Sequence, residues 1–240
     1  MSETHVAEVE HLTLGYDGAP AVRDLNLHVD SGEVLALLGP NGAGKSTTLA
    51  GFAGFVKPMA GSIRFAGESI GRAAPYKLAR LAIAHVPEGR GGFQSLTVAE
   101  HFRICGRSAN VDEAMSYFPK LEGLTGRRAG LLSGGEQQML ALACALARRP
   151  RLLLIDELSL GLAPMIVESL LPVVREFAKR SGCAVILVEQ HVRLALEVAD
   201  RGMVLAHGQV VLEDTAAALR DSRELLAASY LGESVLEPLS

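Results

Sequence analysis

Short apolar runs alternate along the chain with longer stretches of mixed polarity, the pattern of strands interleaved with crossover helices. The runs at 34–38, 152–155 and 184–188 are apolar at every position, as suits strands of a parallel sheet covered on both faces. Residues 7–14 and 25–29 alternate more, and 62–65 reads as a short strand, which predicts an antiparallel edge sheet beside that core. Between about residues 87 and 149 the strand signal fades, and 98–105, 111–118 and 136–148 carry helical patterning. The expected architecture is one α/β domain over 1–240, its core formed by 1–86 and 149–213 and a helical subdomain inserted at 87–148. Past Asp200, strands at 202–206 and 209–212 flank the turn dipeptide His207-Gly208. Asp221 and Glu224 have capping-box spacing, which predicts a last helix over 221–232.

Composition narrows the class. A chain of 240 residues buries roughly 70–75% of its unfolded surface and needs neither disulfide nor metal to hold a core. Its longest purely apolar run is nine residues, 139–147, whereas a spanning helix needs about 20. The start Met1-Ser2-Glu3-Thr4-His5 lacks the basic and apolar regions of a secretory signal, so a cytoplasmic location is expected. Cys105, Cys144 and Cys183 are an odd set without a CxxC pair, consistent with reduced thiols. The formal charge of −4 lacks the Lys/Arg surplus that neutralises phosphates, so no nucleic-acid partner is expected.

The chemistry begins at Gly39-Pro40-Asn41-Gly42-Ala43-Gly44-Lys45-Ser46-Thr47, after one predicted strand and before a helical run over 45–55. This is a P-loop in its required strand-loop-helix setting. Its glycines let successive N–H groups point at phosphate oxygens at a helix N-terminus. Lys45 is expected on the β and γ phosphates of a bound nucleotide, and the Ser46 hydroxyl on Mg²⁺. A second element, Arg151-Leu152-Leu153-Leu154-Ile155-Asp156-Glu157, is a buried strand ending in two acids, which aims them at the crevice above an open α/β sheet. Asp156 is the expected Mg²⁺ holder and Glu157 the group that polarises the attacking water.

Leu132-Ser133-Gly134-Gly135-Glu136-Gln137-Gln138 resembles the signature of ATP-binding cassette (ABC) ATPases. Ser133 with the amides of Gly134 and Gly135 would form an anion site at a helix start. The resemblance covers the chain to about Gly232 and implies a RecA-like P-loop NTPase core. It further implies a head-to-tail dimer in which this signature faces the γ-phosphate held by the opposite subunit. Tyr16 stands where the family stacks an aromatic on adenine, with edge-strand packing as the alternative. Glu88, in Val86-Pro87-Glu88-Gly89-Arg90, replaces a Gln that senses γ-phosphate and Mg²⁺.

Two more positions depart from the pattern. In Asp156-Glu157-Leu158-Ser159-Leu160-Gly161-Leu162-Ala163, Leu158 replaces Pro and Ala163 replaces Asp. Counting back from Asp200-Arg201 puts Gln190 in register with the family's switch His, with His191 the competitor one position on.

These departures, with Ser159 to Pro164, Leu187-Val188-Glu189-Gln190 and Tyr230-Leu231-Gly232, resemble the ATP-binding subunits of branched-chain amino-acid importers. That resemblance implies a partner cassette of different sequence, with a homodimer as the alternative, docked on two membrane permeases at the cytoplasmic face of the membrane. It also implies an extracytoplasmic substrate-binding protein. The groove beside 86–102, with Phe93, Leu96, Val98 and Phe102, is the expected permease contact, with ordinary core packing as the alternative for some of these residues. Urea and amides stay open as substrates. A soluble non-transport ATPase of the same fold and a weakly hydrolysing nucleotide switch are the alternatives of other classes.

Overall fold

The chain opens with a hairpin whose turn is written in two residues. Strands β1 (Ala7–Tyr16) and β2 (Ala19–Val29) pair antiparallel from Ala7↔Val29 to Tyr16↔Ala19. Asp17 and Gly18 between them have φ of 49° and 81°, the positive pair that a two-residue hairpin turn requires. This computed structural model describes residues 5–89, 92–106 and 108–222. The chain continues as β3 (Val34–Leu38), α1 (Lys45–Phe52), β4 (Ala60–Phe65), β5 (Glu68–Ser69), α2 (Pro75–Arg80) and β6 (Ile83–Val86). Helices α3 (Val98–Ile104), α4 (Val111–Tyr117) and α5 (Gly134–Ala147) follow, with two 3₁₀ turns between α4 and α5. The core resumes with β7 (Leu152–Asp156), α6 (Pro164–Ser181), β8 (Ala184–Val188), α7 (Val192–Val198), β9 (Arg201–Ala206), β10 (Gln209–Thr215) and α8 (Ala216–Asp221).

Two sheets result. One is antiparallel, in the order β2-β1-β4-β5, and the other runs β10-β9-β3-β8-β7-β6 with only β10 antiparallel. Every residue of β3, β7 and β8 is buried, because helices and the other sheet cover both faces. Alternate residues of β3 divide between two cores. Leu35 and Leu37 join Leu49 and Phe52 of α1 and Leu12, Leu14 and Leu25 of the hairpin, while Val34, Ala36 and Leu38 face the cluster built with α5, α6 and α7. Helix α1 is therefore held between the two sheets, which fixes the loop that precedes it.

The region between β6 and β7 is helical, and its packing residues Val98, Phe102, Ala114, Leu140 and Ala143 belong to the second cluster. Helix α6, which the sequence reading passed over, starts with Pro164 in its first turn and ends at Gly182 with φ 70°. It buries Val167, Leu170, Leu171, Val174, Phe177 and Ala178, one apolar stripe at helical spacing. Arg175 then holds Asp200 through two contacts of 2.5 Å, and Asp200 Oδ2 accepts the Val34 N–H at 2.9 Å. This ties α6 to the base of the central strand. Asp221, expected to open a helix, instead closes α8, and the rest of the predicted 221–232 helix lies outside the described residues.

Candidate functional site

The loop 39–44 leaves the C-terminal end of β3 and turns into α1 with Gly39, Gly42 and Gly44 all at positive φ. Two of these glycines are also required by space. A Cβ on Gly39 would lie 2.1 Å from the Leu205 carbonyl oxygen, and one on Gly44 2.6 Å from Val22 and 2.9 Å from the Ala21 carbonyl. The loop is thus pressed between β9 and the hairpin, and only a bare backbone fits.

Lys45, nearly fully buried, folds back over this loop and donates to the carbonyls of Gly39 and Pro40 at 2.8 and 2.9 Å. Burial pulls its pKa below the ordinary lysine value, against the opposing pull of the Glu157 and Asp156 carboxylates. Ser46 donates its hydroxyl to Asp156 Oδ1 at 3.0 Å, joining the first turn of α1 to the end of β7. Burial raises the Asp156 pKa, the Ser46 bond lowers it, Glu157 and Glu88 raise it further, and Lys45 lowers it. Serine hydroxyl and carboxylate are hard oxygen donors of the kind Mg²⁺ takes, and a divalent cation there would offset the crowding of acids.

Glu157 follows β7 at φ 47°, a left-handed conformation uncommon for a residue with a side chain. Its N–H donates to the Val188 carbonyl at 3.0 Å, and its Oε2 accepts from Gln190 Nε2 at 2.8 Å. A crevice of about 560 Å³ gathers these groups. Asn41, Gly42, Ala43, Gly44, Lys45, Ser46, Thr47, Glu88, Glu157 and Gln190 all line it, with Ala21 and Leu160 completing the wall. Gln190 thus lies in the crevice, whereas His191 is exposed at the start of α7 and does not line it. Nothing in the residue pattern singled out Ala21 or Leu160.

Two expected groups lie elsewhere. Tyr16 is 55% exposed at the end of β1 and is not part of the crevice wall, which Ala21 supplies on the hairpin side. Ser133, Gly134 and Gly135 open α5, where Ser133 and Glu136 form a capping box: Glu136 Oε2 accepts the Ser133 N–H at 2.7 Å. Gly135 packs against Ile166, where an added Cβ would meet a methyl at 2.7 Å. This exposed helix start contributes nothing to the chain's own crevice.

Beside the helical region runs a second groove, of about 460 Å³, with Phe55, Tyr76, His85, Phe93, Ile104 and Cys144 in its walls. Phe93 is 65% exposed there, but Val98 and Phe102 are buried core residues and Leu96 does not line the groove. Of the four, only Phe93 lines the groove, and core packing is the reading that holds for Val98 and Phe102. Val98 and Phe102 hold α3 onto the core.

The profile of the ABC transporter family matches residues 22–159, a span that contains the P-loop, the signature and the acidic strand end. The chain belongs to the ABC transporter family. Members of this ATP-binding domain family hydrolyse ATP, and the chain is an ATPase of that kind. It is 42% identical over 224 residues to the Pseudomonas aeruginosa high-affinity branched-chain amino acid transport ATP-binding protein BraG, covering 90% of this chain and 95% of that one. It is also 31% identical over 234 residues to the Escherichia coli lipopolysaccharide export system ATP-binding protein LptB, covering 93% and 96%. A solved structure of an ATP-binding subunit of an ABC transporter superposes with a TM-score of 0.81 at 30% identity, over 95% of this chain and 99% of that one. The ABC transporter fold accounts for the mixed sheet, the antiparallel edge sheet and the helical region alike. Among the described residues no helix is long and apolar enough to cross a membrane.

Proposed function

We propose that this ABC ATPase powers a membrane importer for branched-chain or related amino acids. It would work at the cytoplasmic face of the membrane, paired with a second ABC ATPase subunit and docked on two permeases that an extracytoplasmic binding protein supplies. Its formal charge of −4 supports a partner set without nucleic acid. The likeness to a branched-chain amino acid transport subunit at 42% identity supports the substrate class. The likeness to a lipopolysaccharide export subunit favours a second reading, export, built on the same motor.

Chemistry follows from the crevice. The loop amides of residues 41–44 and the Lys45 ammonium hold the β and γ phosphates. Ser46 and Asp156, with Glu88, would hold Mg²⁺, which neutralises phosphate charge when bound. Glu157 accepts a proton from the attacking water, and Gln190 keeps its carboxylate aimed while presenting an amide to the γ-phosphate. Tyr16 serves as an exposed stacking platform for adenine. Ser133, Gly134 and Gly135 serve the nucleotide of the paired subunit, a role in keeping with their distance from the chain's own crevice.

The observation that carries this reading is the Gln190–Glu157 bond within the crevice lined by Lys45 and Ser46. Glu157→Gln keeps size and removes the base. ATP turnover at this site should fall by about 10²-fold or more while ATP binding persists, measured by phosphate release and by nucleotide titration. Turnover equal to the parent would remove Glu157 from the reaction.

A further inference from the structure

Glu189 is a fully buried carboxylate that the hydrolytic scheme leaves without a task. It sits between Val188, which closes β8, and Gln190 of the crevice. Both of its oxygens are engaged by one residue. Oε2 accepts the Ser159 hydroxyl at 2.5 Å and Oε1 accepts the Ser159 N–H at 3.2 Å. Burial pushes the Glu189 carboxyl up, and the two Ser159 donors pull it back toward the ionised form. A buried charge held this way is expensive to strand and stiff when satisfied.

The segment it grips is the one that carries the base. Glu157 lies two residues before Ser159 with its backbone in the left-handed region. Such a conformation persists only where the surroundings over-determine it. Three successive ties lace this segment to the end of β8. The Glu157 N–H bonds the Val188 carbonyl, Ser159 bonds Glu189, and Gln190 bonds the Glu157 carboxylate. Residues 157–159 and 188–190 are therefore tied at three points, with the fully buried Glu189 at the middle one.

We propose that Glu189 is a positioning residue for ATP hydrolysis. Its carboxylate clamps Ser159 and so fixes the direction of the Glu157 carboxylate relative to Gln190. The inference rests on the assignment of Glu157 as the base. The clamp also joins the loop that leaves the site through Leu160 and Gly161 to the switch position at Gln190, so a shift of that loop would be felt at the base.

The test uses the purified transporter assembled with the full chain, with Glu157→Gln in the same preparation defining the turnover that does not depend on this site. Glu189→Ala should lower the Glu157-dependent kcat by about ten-fold or more, as misplaced catalytic groups do, with KM for ATP within about two-fold. Glu189→Gln, which keeps an acceptor for the Ser159 N–H, should recover part of the rate. If Glu189→Ala fails to fold, Ser159→Ala carries the test, because it removes one donor only and should lower kcat several-fold at unchanged KM. A parental kcat in either variant that folds, or a loss shared equally by kcat and ATP affinity, would overturn the clamp. Full turnover in Glu157→Gln would instead overturn the assignment of the base, and the clamp with it.

Discussion

Gln190 and His191 are adjacent, and both can donate a hydrogen bond, yet of the two only Gln190 lines the crevice. Gln190 lines the crevice and donates to Glu157 at 2.8 Å, while His191 is exposed at the α7 start. Gln190→Ala should accordingly reduce ATP turnover well below that of His191→Ala in a steady-state assay, by about ten-fold. The reverse order would reassign the switch to His191. Because an amide does not titrate near neutral pH, the switch position itself contributes no ionisation to the pH profile. Register counting back from Asp200 names Gln190, and the structure sets Gln190 rather than His191 in the crevice wall. Glu189 escaped the reading of the residues because a lone acid before a loop carries no signal. Its partner Ser159 is 30 positions away, and only the parallel pairing of β7 with β8 brings the two together.

At the scale of elements, the central strands and the P-loop helix were legible because uninterrupted apolar runs have few alternative fates. The helices 98–105, 111–118 and 136–148 match α3, α4 and α5 to within two residues at each end. Others were hidden. Helix α6 has a strong apolar stripe, but Pro172 inside it masks the helical pattern. Strands β5 and β6 are two and four residues long, too short for periodicity to register. The first half of β2 is largely exposed, so it lacked an apolar run. The stripe of α6 makes a direct prediction. Phe177 is 1% exposed and meets the Tyr117 ring edge-on at 6.1 Å between centroids. Phe177→Ala should destabilise the fold by about 3–5 kcal/mol, a large share of the roughly 5–15 kcal/mol of a typical domain. Urea unfolding would measure it, and a loss below about 1 kcal/mol would mean that α6 does not anchor this core.

For the whole molecule, the packing of α1 between the two sheets holds the phosphate loop in place, while the signature residues 133–135 lie outside its crevice. A site whose Ser133 is exposed at the start of α5 and lines no wall of the chain's own crevice is completed only by another subunit in the proposed assembly. The groove with exposed Phe55, Tyr76 and Phe93 would offer an apolar seat to a permease helix in the proposed assembly. Val98 and Phe102, which the sequence pattern could not separate from Phe93, face inward because α3 must bury one side. The most direct measurement is affinity isolation of this chain from gently solubilised native membranes, with mass spectrometry of what accompanies it. The account predicts two hydrophobic permeases and a second ABC ATPase, whereas recovery solely from the soluble fraction, without permeases, would contradict it.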